Sequence, residues 1–267
     1  MKTIIRKSIG DRNYQKLINL KKRKNSLIYK GKEFECPVCK SKLRTFLPGG
    51  LDVEIIRKLR IVGAGKFENQ MCPVCKAFNR DRLFMLFLMR MTNIFTSKLK
   101  VLHVAPEREI QIVLKKCKNL EHVSADIESS LADIRMDITK IDYPDNSFDV
   151  ILCNHVLEHV PEDVKAITEF SRVLKKNGWA VLQVPISYDL KKTYEDFSIT
   201  TKIEREKHFG QNDHVRVYGT DYFERLSAGG LKVDPIETER YLTDEEIHKF
   251  GVIREEKIFY CQNGNLV

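Results

Sequence analysis

From Leu99 onward, short apolar runs alternate with stretches whose apolar residues recur at helical spacing. "LKVLHVA" (99–105) predicts a strand, "EREIQIVLKKC" (107–117) a helix, "EHVSAD" (121–126) a strand and "DIRMDI" (133–138) a short strand or extended piece. "FDVILCN" (148–154) predicts an apolar strand, "PEDVKAITEFSRVLKK" (161–176) a helix opened by Pro161, and "GWAVLQVPI" (178–186) another strand. Such near-continuous Val, Ile and Leu runs belong to strands buried on both faces, as in a parallel sheet covered by helices. The pattern is that of a doubly wound α/β domain, which binds ligands at the carboxyl ends of its strands. Upstream, "FNRDRLFMLFLMRM" (78–91) predicts a helix with Leu83, Phe84, Phe87 and Leu88 on its apolar face, leading into that domain.

The expected strand ends are polar. They carry His103 with the turn Ala105-Pro106-Glu107, then Asp126, Asp137, the pair Asn154 and His155, and finally Gln183, Pro185 and Ser187. An acidic residue about 20 positions after the first turn suits a ribose, because a carboxylate accepts from both sugar hydroxyls, and Asp126 stands there. Any single Asp also caps helices and starts turns, so the ordered set is the stronger signal.

Cysteine usage points to a metal. Cys36 and Cys39, and again Cys72 and Cys75, lie in identical "CPVC" segments, whereas Cys117, Cys153 and Cys261 are isolated in apolar surroundings. Two C-x-x-C turns complete a tetrahedral set of four sulfurs, which suits structural Zn2+ and leaves no open position for catalysis. Disulfides are the weaker alternative in a reducing compartment. The insert between Cys39 and Cys72 is long for a compact ribbon and must form its own loop or hairpin.

Charge is unevenly placed. Residues 1–32 hold eight Lys and three Arg against Asp11 alone, a balance of +10 in a chain of net +9, so the other residues are nearly neutral. Within this basic arm Tyr14, Leu17 and Ile18 follow helical spacing beside "KKRK" (21–24), the form of a basic amphipathic helix able to touch phosphates of RNA or an anionic surface. The plainer alternative is a solvated helix. The longest apolar run, "LFMLFLM" (83–89), is far short of the roughly 20 residues of a membrane span. With no apolar segment and cleavage site at the N-terminus, the expected location is cytoplasmic. Oligomeric state is not legible.

The stretch "DITKIDYPDNSFDVILCNHVLEHVPEDVKAITEFSRVLKKNGWAVLQVPI" resembles the class I S-adenosylmethionine-dependent methyltransferases, of methyltransferase type 11 kind, and the likeness extends over roughly residues 97–262. The "FECPVC" segment, "VLHVAPE" and "FGQNDHVRVYG" look like a bacterial subgroup with an N-terminal zinc-binding segment. The resemblance implies a mostly parallel seven-stranded Rossmann-like sheet and S-adenosyl-L-methionine as cofactor. By position, it implies that Asp126, with Ile127 beside it, binds the ribose, that Asp137 accepts from the adenine amino group and that Ile138 lies beside the ring. It further implies that His103, Ala105, Pro106 and Glu107 line the methionine half, and that Asn154 and His155 face the methyl group or acceptor. Glu158 and His159 are expected to begin or cap the next helix. The departure is at the first turn, where the family's glycines become Ala105, Glu107 and Glu109. This cofactor has no phosphate to cradle, so the demand for glycine is looser. Glu107 either touches the cofactor or merely starts the helix.

The expected organisation is a basic arm (1–32), a zinc module with linking helix (33–95) and a methyltransferase domain (96–267) with a lid at about 187–219, an insertion longer than an α/β loop needs. Within the lid His214 and Asp213, together with His155, are candidate catalytic groups for deprotonating an acceptor, and Arg216, Tyr218 and Gln211 for holding it. The alternative is a lid whose polar residues bond one another. At the fourth strand "NHVLEHV" replaces the N-P-P-Y turn of base methylases, favouring a small-molecule or glycan-precursor acceptor. The zinc module and basic arm keep an RNA methyltransferase as one alternative, and the altered first turn keeps a non-catalytic binding protein as another.

Overall fold

The computed structural model describes residues 11–128 and 132–264, with side chains from Lys16 onward. Residues 1–10 of the basic arm and the Tyr14 side chain lie outside that description.

Helix α1 (Asp11–Ile28) opens the described chain. The first "CPVC" follows β1 (Lys30–Glu35), which pairs with β2 (Lys42–Leu43). The insert then folds as β3 (Leu47–Gly50), α2 (Glu54–Lys58) and β4 (Lys66–Met71), the two strands forming an antiparallel hairpin. Gly50 has φ of 99°, and a Cβ there would collide with the Gly65 carbonyl, so the "GG" of the hairpin is sterically required. Helix α3 (Asn79–Met91) follows the second "CPVC". It does not keep a single apolar face: Met85 and Leu86 are as buried as Leu83 and Phe87. The cause is its position within one continuous core that joins Phe34, Phe46 and the cysteines of the module to Val101, Ile110 and Val181 of the main sheet. Each such side chain removed from water contributes about 1.5–3 kcal/mol.

The main domain comprises β5 (Leu99–Val104), α4 (Arg108–Leu114), β6 (Leu120–Asp126), β7 (Ile134–Arg135), β8 (Phe148–Asn154), α5 (Asp163–Val173) and β9 (Leu174–Gln183). After the lid come α7 (Tyr222–Ala228), β12 (Leu231–Ile236), α8 (Asp244–Phe250) and β13 (Ile258–Asn263). Seven strands run in the order β12-β13-β9-β8-β5-β6-β7. Pairing is parallel from β9 to β7, and β13 is antiparallel to both its neighbours. This is the mostly parallel, Rossmann-like sheet expected from the sequence, although β7 has shrunk to two residues of "DIRMDI".

The segment expected to be a lid contains β10 (Tyr194–Glu195), α6 (Lys202–Phe209) and β11 (Arg216–Val217), so a helix interrupts what reads as irregular sequence. Thr201 caps α6 by accepting from the Glu204 amide, and Gly210 ends it in the left-handed conformation. Ile56 and Ile61 of the insert pack with Phe209 and Val217 of the lid in a small core of their own. Ile186 bridges Val62 on one side and Tyr218 on the other, and Arg60 forms a two-bonded pair with Asp189.

Helix α1 turns Ile18, Lys22 and Asn25 inward, as the turn after it does Tyr29, and not Leu17, which is 53% exposed. Lys22 pairs with Glu109 at 3.1 Å and Asn25 donates to the Pro73 carbonyl at 2.7 Å, so buried partners fix its rotation. Lys16, Lys21, Arg23 and Lys24 stay exposed. No helix among the described residues is long and apolar enough to cross a membrane.

Arg82 of α3 is fully buried and fastens the module to the C-terminal part of the chain. Its guanidinium donates to the carbonyls of Phe250 and Gly251 (both 2.7 Å), Ala77 (3.2 Å) and Asn69 (2.5 Å), and stacks 3.7 Å over Phe46. Replacing Arg82 by Met should cost about 3 kcal/mol or more in urea unfolding, because the carbonyls would be left buried without donors; a loss below about 1 kcal/mol would contradict this role.

Candidate functional site

The strand ends converge because of register. Val104 pairs with Ala125 on one side and Cys153 on the other, so Ala105, Asp126 and Asn154 emerge together at one sheet edge. Ala105 has φ of 42°, and its amide donates to the Ala125 carbonyl at 2.7 Å. It therefore adopts the left-handed backbone that a glycine would take, at a cost of about 1 kcal/mol. His155 does the same after β8, with φ of 56°.

Glu107 occupies the N-cap position of α4, but its carboxylate does not cap the helix. Oε2 lies 3.0 Å from His103 Nε2, and Oε1 accepts from Asn154 Nδ2 at 2.9 Å. His103 is fully buried and continues the chain to His122, 3.2 Å away. Burial acts to raise the Glu107 pKa, yet the His103 and Asn154 bonds outweigh it and hold the carboxyl below its ordinary value. Asn154 Oδ1 is buried without a protein partner, which leaves an acceptor for a ligand's donor. Asp126 is half-buried and accepts from the Glu128 amide at 2.8 Å. Pro106 is half-buried and Ile127 exposed; Asp137 is exposed and held down by bonds from Thr139, and Ile138 beside it is buried.

Beyond this edge lies a cavity of about 390 Å³. Its wall comes from the insert (Ile56, Ile61, Gly63), the exit of β8 (His155, Glu158, His159) and the lid (Phe209, Gln211, Asp213, His214). Gly63, with φ of 84°, lets the insert approach to where a Cβ would lie 3.5 Å from the His155 ring. The insert's share was not foreseen, although the glycines of "PGG" and "GAG" mark turns that allow close approach. Burial pushes His214 down to about 4 and His155 well below its ordinary value, so both rings are neutral at physiological pH. Glu158 is not a helix cap: it lies in a 3-10 turn (Leu157–His159), 1% exposed, and neither carboxylate oxygen has a hydrogen-bond partner. Burial pushes it up to about 8.

The remaining lid candidates divide. Gln211 Nε2 lies 2.5 Å from His214 Nε2, and Asp213 is exposed beside His159. Arg216 is buried and donates to Glu195 (2.8 Å) and to the carbonyls of Leu157, Val160 and Pro161, while the Tyr218 hydroxyl donates to Asp163 at 2.8 Å. These two brace the turn carrying Glu158.

The four clustered cysteines meet as expected. Cys36 and Cys75 sulfurs are 3.6 Å apart and those of Cys39 and Cys72 are 3.8 Å apart. Zinc–sulfur bonds of about 2.3 Å in a tetrahedron place sulfurs about 3.8 Å apart, so the set is compatible with zinc. In each turn the residue after the second cysteine, Lys40 or Lys76, is left-handed and donates back to the first cysteine's carbonyl.

Residues 93–182 match the family described as "Methyltransferase domain". No curated protein matches the chain. Among solved structures, the chain is similar to the O-methyltransferase of a trans-AT PKS multienzyme of Brevibacillus brevis in complex with S-adenosyl-L-homocysteine, at 14% identity and TM-score 0.49, covering 69% of this chain and 73% of that one. It is also similar to an S-adenosylmethionine-dependent methyltransferase from Mesorhizobium loti, at 12% identity and TM-score 0.45, covering 62% of this chain and 91% of that one.

Glu256, buried beside Gly63, is raised by burial from 4.5 to about 7. Between those values the unfolded chain ionises first, so this group's contribution to stability falls as pH rises from 4.5 through about 7. Glu256→Gln should therefore raise unfolding free energy by about 2–3 kcal/mol at pH 8 and leave it unchanged near pH 4.5, as measured by urea denaturation at both pH values.

Proposed function

We propose that the chain is an S-adenosylmethionine-dependent methyltransferase acting on a small-molecule or glycan-precursor acceptor. The observation that carries this reading is the convergence of Ala105, Asp126 and Asn154 at one sheet edge, next to a walled cavity of a size suited to a small ligand. The residues fit the cofactor: Asp126, with Ile127 beside it, would take the ribose hydroxyls, Asp137 and Ile138 the adenine, and the turn from His103 to Glu107 the methionine half. The unpartnered Asn154 Oδ1 and the ionised Glu107 suit its ammonium group. When bound, the cofactor supplies a sulfonium-activated methyl group.

Methyl transfer is an in-line displacement, so the chain's main task is alignment of acceptor and cofactor in a water-poor space. The insert and lid would enclose the acceptor. His155 and His214, neutral and lining the cavity, are the groups to take a proton from an acceptor hydroxyl, with Asp213 orienting through His159. Of Gln211, Arg216 and Tyr218, Gln211 is best placed to touch the acceptor, since the other two spend their polar atoms inside the protein. The four cysteines would hold structural Zn2+.

The exposed basic face of α1 favours a second reading, an RNA methyltransferase gripping phosphates; affinity for RNA falling steeply with added salt would support it. A non-catalytic binding protein is separated from both by cofactor titration. Calorimetry on the intact, zinc-loaded protein should detect S-adenosylmethionine and S-adenosylhomocysteine, and Asp126→Ala should abolish that binding. No binding at millimolar cofactor would overturn the enzyme reading, and unchanged affinity in the variant would overturn the ribose assignment. Metal analysis should find a zinc equivalent per chain that Cys72→Ser removes, together with a lower unfolding temperature.

A further inference from the structure

We propose that Glu158, His159 and His214 form a second metal site, separate from the four cysteines, which takes a divalent transition-metal ion in the wall of the cavity. Its use in methyl transfer rests on the reading above; the site itself does not.

One ligand atom from each of the three residues lies within 4.8 Å of the others. The carboxylate is what points to a cation. Glu158 is buried and lines the cavity, and neither carboxylate oxygen has a hydrogen-bond partner beyond a weak approach of its own amide; His155 Nδ1 at 3.5 Å and His214 Nε2 at 3.9 Å stand close without bonding it. The ionised carboxylate is costly here, so it takes up either a proton or a cation, and the two imidazoles beside it suit the cation.

Outer hydrogen bonds set the tautomer of both rings. His214 Nδ1 lies 3.3 Å from the Phe209 carbonyl, and His159 Nδ1 lies 3.3 Å from the Asp213 carbonyl. A carbonyl only accepts, so each Nδ1 carries the proton and each Nε2 keeps its lone pair, the arrangement that outer hydrogen bonds impose on metal-binding imidazoles. The two rings stand at 87° with centroids 4.7 Å apart. In the present arrangement His214 Nε2 accepts from Gln211, an amide on the lid that an ion would displace. Backbone bonds hold the set in place, since the Val215 amide donates to the Glu158 carbonyl at 2.9 Å and ties lid to turn.

Two imidazoles and one carboxylate suit Zn2+, Mn2+, Fe2+ or Co2+, and three protein ligands leave positions open towards the cavity. An acceptor hydroxyl entering there would be acidified by the ion. With His214 engaged as a ligand, His155 alone of the two proposed bases takes the proton, its Nδ1 being buried without a partner. The oxygen then forms the new bond to the methyl carbon, the carbon–sulfur bond breaks, and its electron pair stays on sulfur as a neutral thioether.

The test is calorimetric titration of the intact, zinc-loaded protein with Zn2+ and, separately, Mn2+, alongside S-adenosylhomocysteine. One further ion should bind, at least about tenfold more weakly in Glu158→Gln and in His159→Gln, with binding of S-adenosylhomocysteine retained in both variants. His159 is partly exposed, so the second variant serves if the first does not fold. Binding of neither metal beyond the four-cysteine zinc, or equal affinity in the variants, overturns the site. Ion binding without binding of S-adenosylhomocysteine would support the site while overturning the methyltransferase reading.

Discussion

The buried guanidinium of Arg82 is the interaction on which the rest of the arrangement depends. It gathers carbonyls from both sides of the second cysteine turn and from the end of α8, and burial pushes its pKa down to about 10 without discharging it. Five donors in a rigid plane can satisfy backbone acceptors in this way, which an ammonium group cannot. The consequence reaches past stability. With the cysteine turns held against the main domain, the insert between them projects over the carboxyl edge of the sheet, where Gly63 meets His155 and Val62 bridges Ile186. A module that reads in sequence as an appendage thus supplies a wall of the candidate acceptor chamber.

The first turn shows how chemistry can change while geometry persists. Ala105 keeps a glycine's left-handed backbone. The work of holding the turn passes to Glu107, tied to β5 through His103 and to β8 through Asn154. Beside the two readings of Glu107, cofactor contact and helix start, the structure adds a contact within the protein. That tether also orients the Asn154 amide so that its oxygen is left for a ligand.

Much of the fold was legible because parallel strands buried on both faces leave uninterrupted apolar runs, as "FDVILCN" does over the full length of β8. The strand ends followed from register, and the cysteines from their spacing. What escaped was long-range. Periodicity in "FNRDRLFMLFLMRM" cannot reveal that both faces of α3 are covered, because the covering residues lie far away in sequence. Arg216 reads as a substrate clamp from its neighbours alone, yet its donors reach Glu195, Leu157, Val160 and Pro161. Glu158 reads as a residue that begins or caps a helix; its burial without a side-chain partner sets it apart.

The central claim is that the cofactor's reactive end opens into the chamber bounded by insert, β8 exit and lid. A crystal structure of the intact protein with S-adenosylhomocysteine tests it most directly. The account predicts adenosine over Asp126 and Asp137, and the thioether sulfur directed past Asn154 towards His155 and Glu158. A sulfur directed away from that chamber, or a ligand bound elsewhere on the sheet edge, would contradict it.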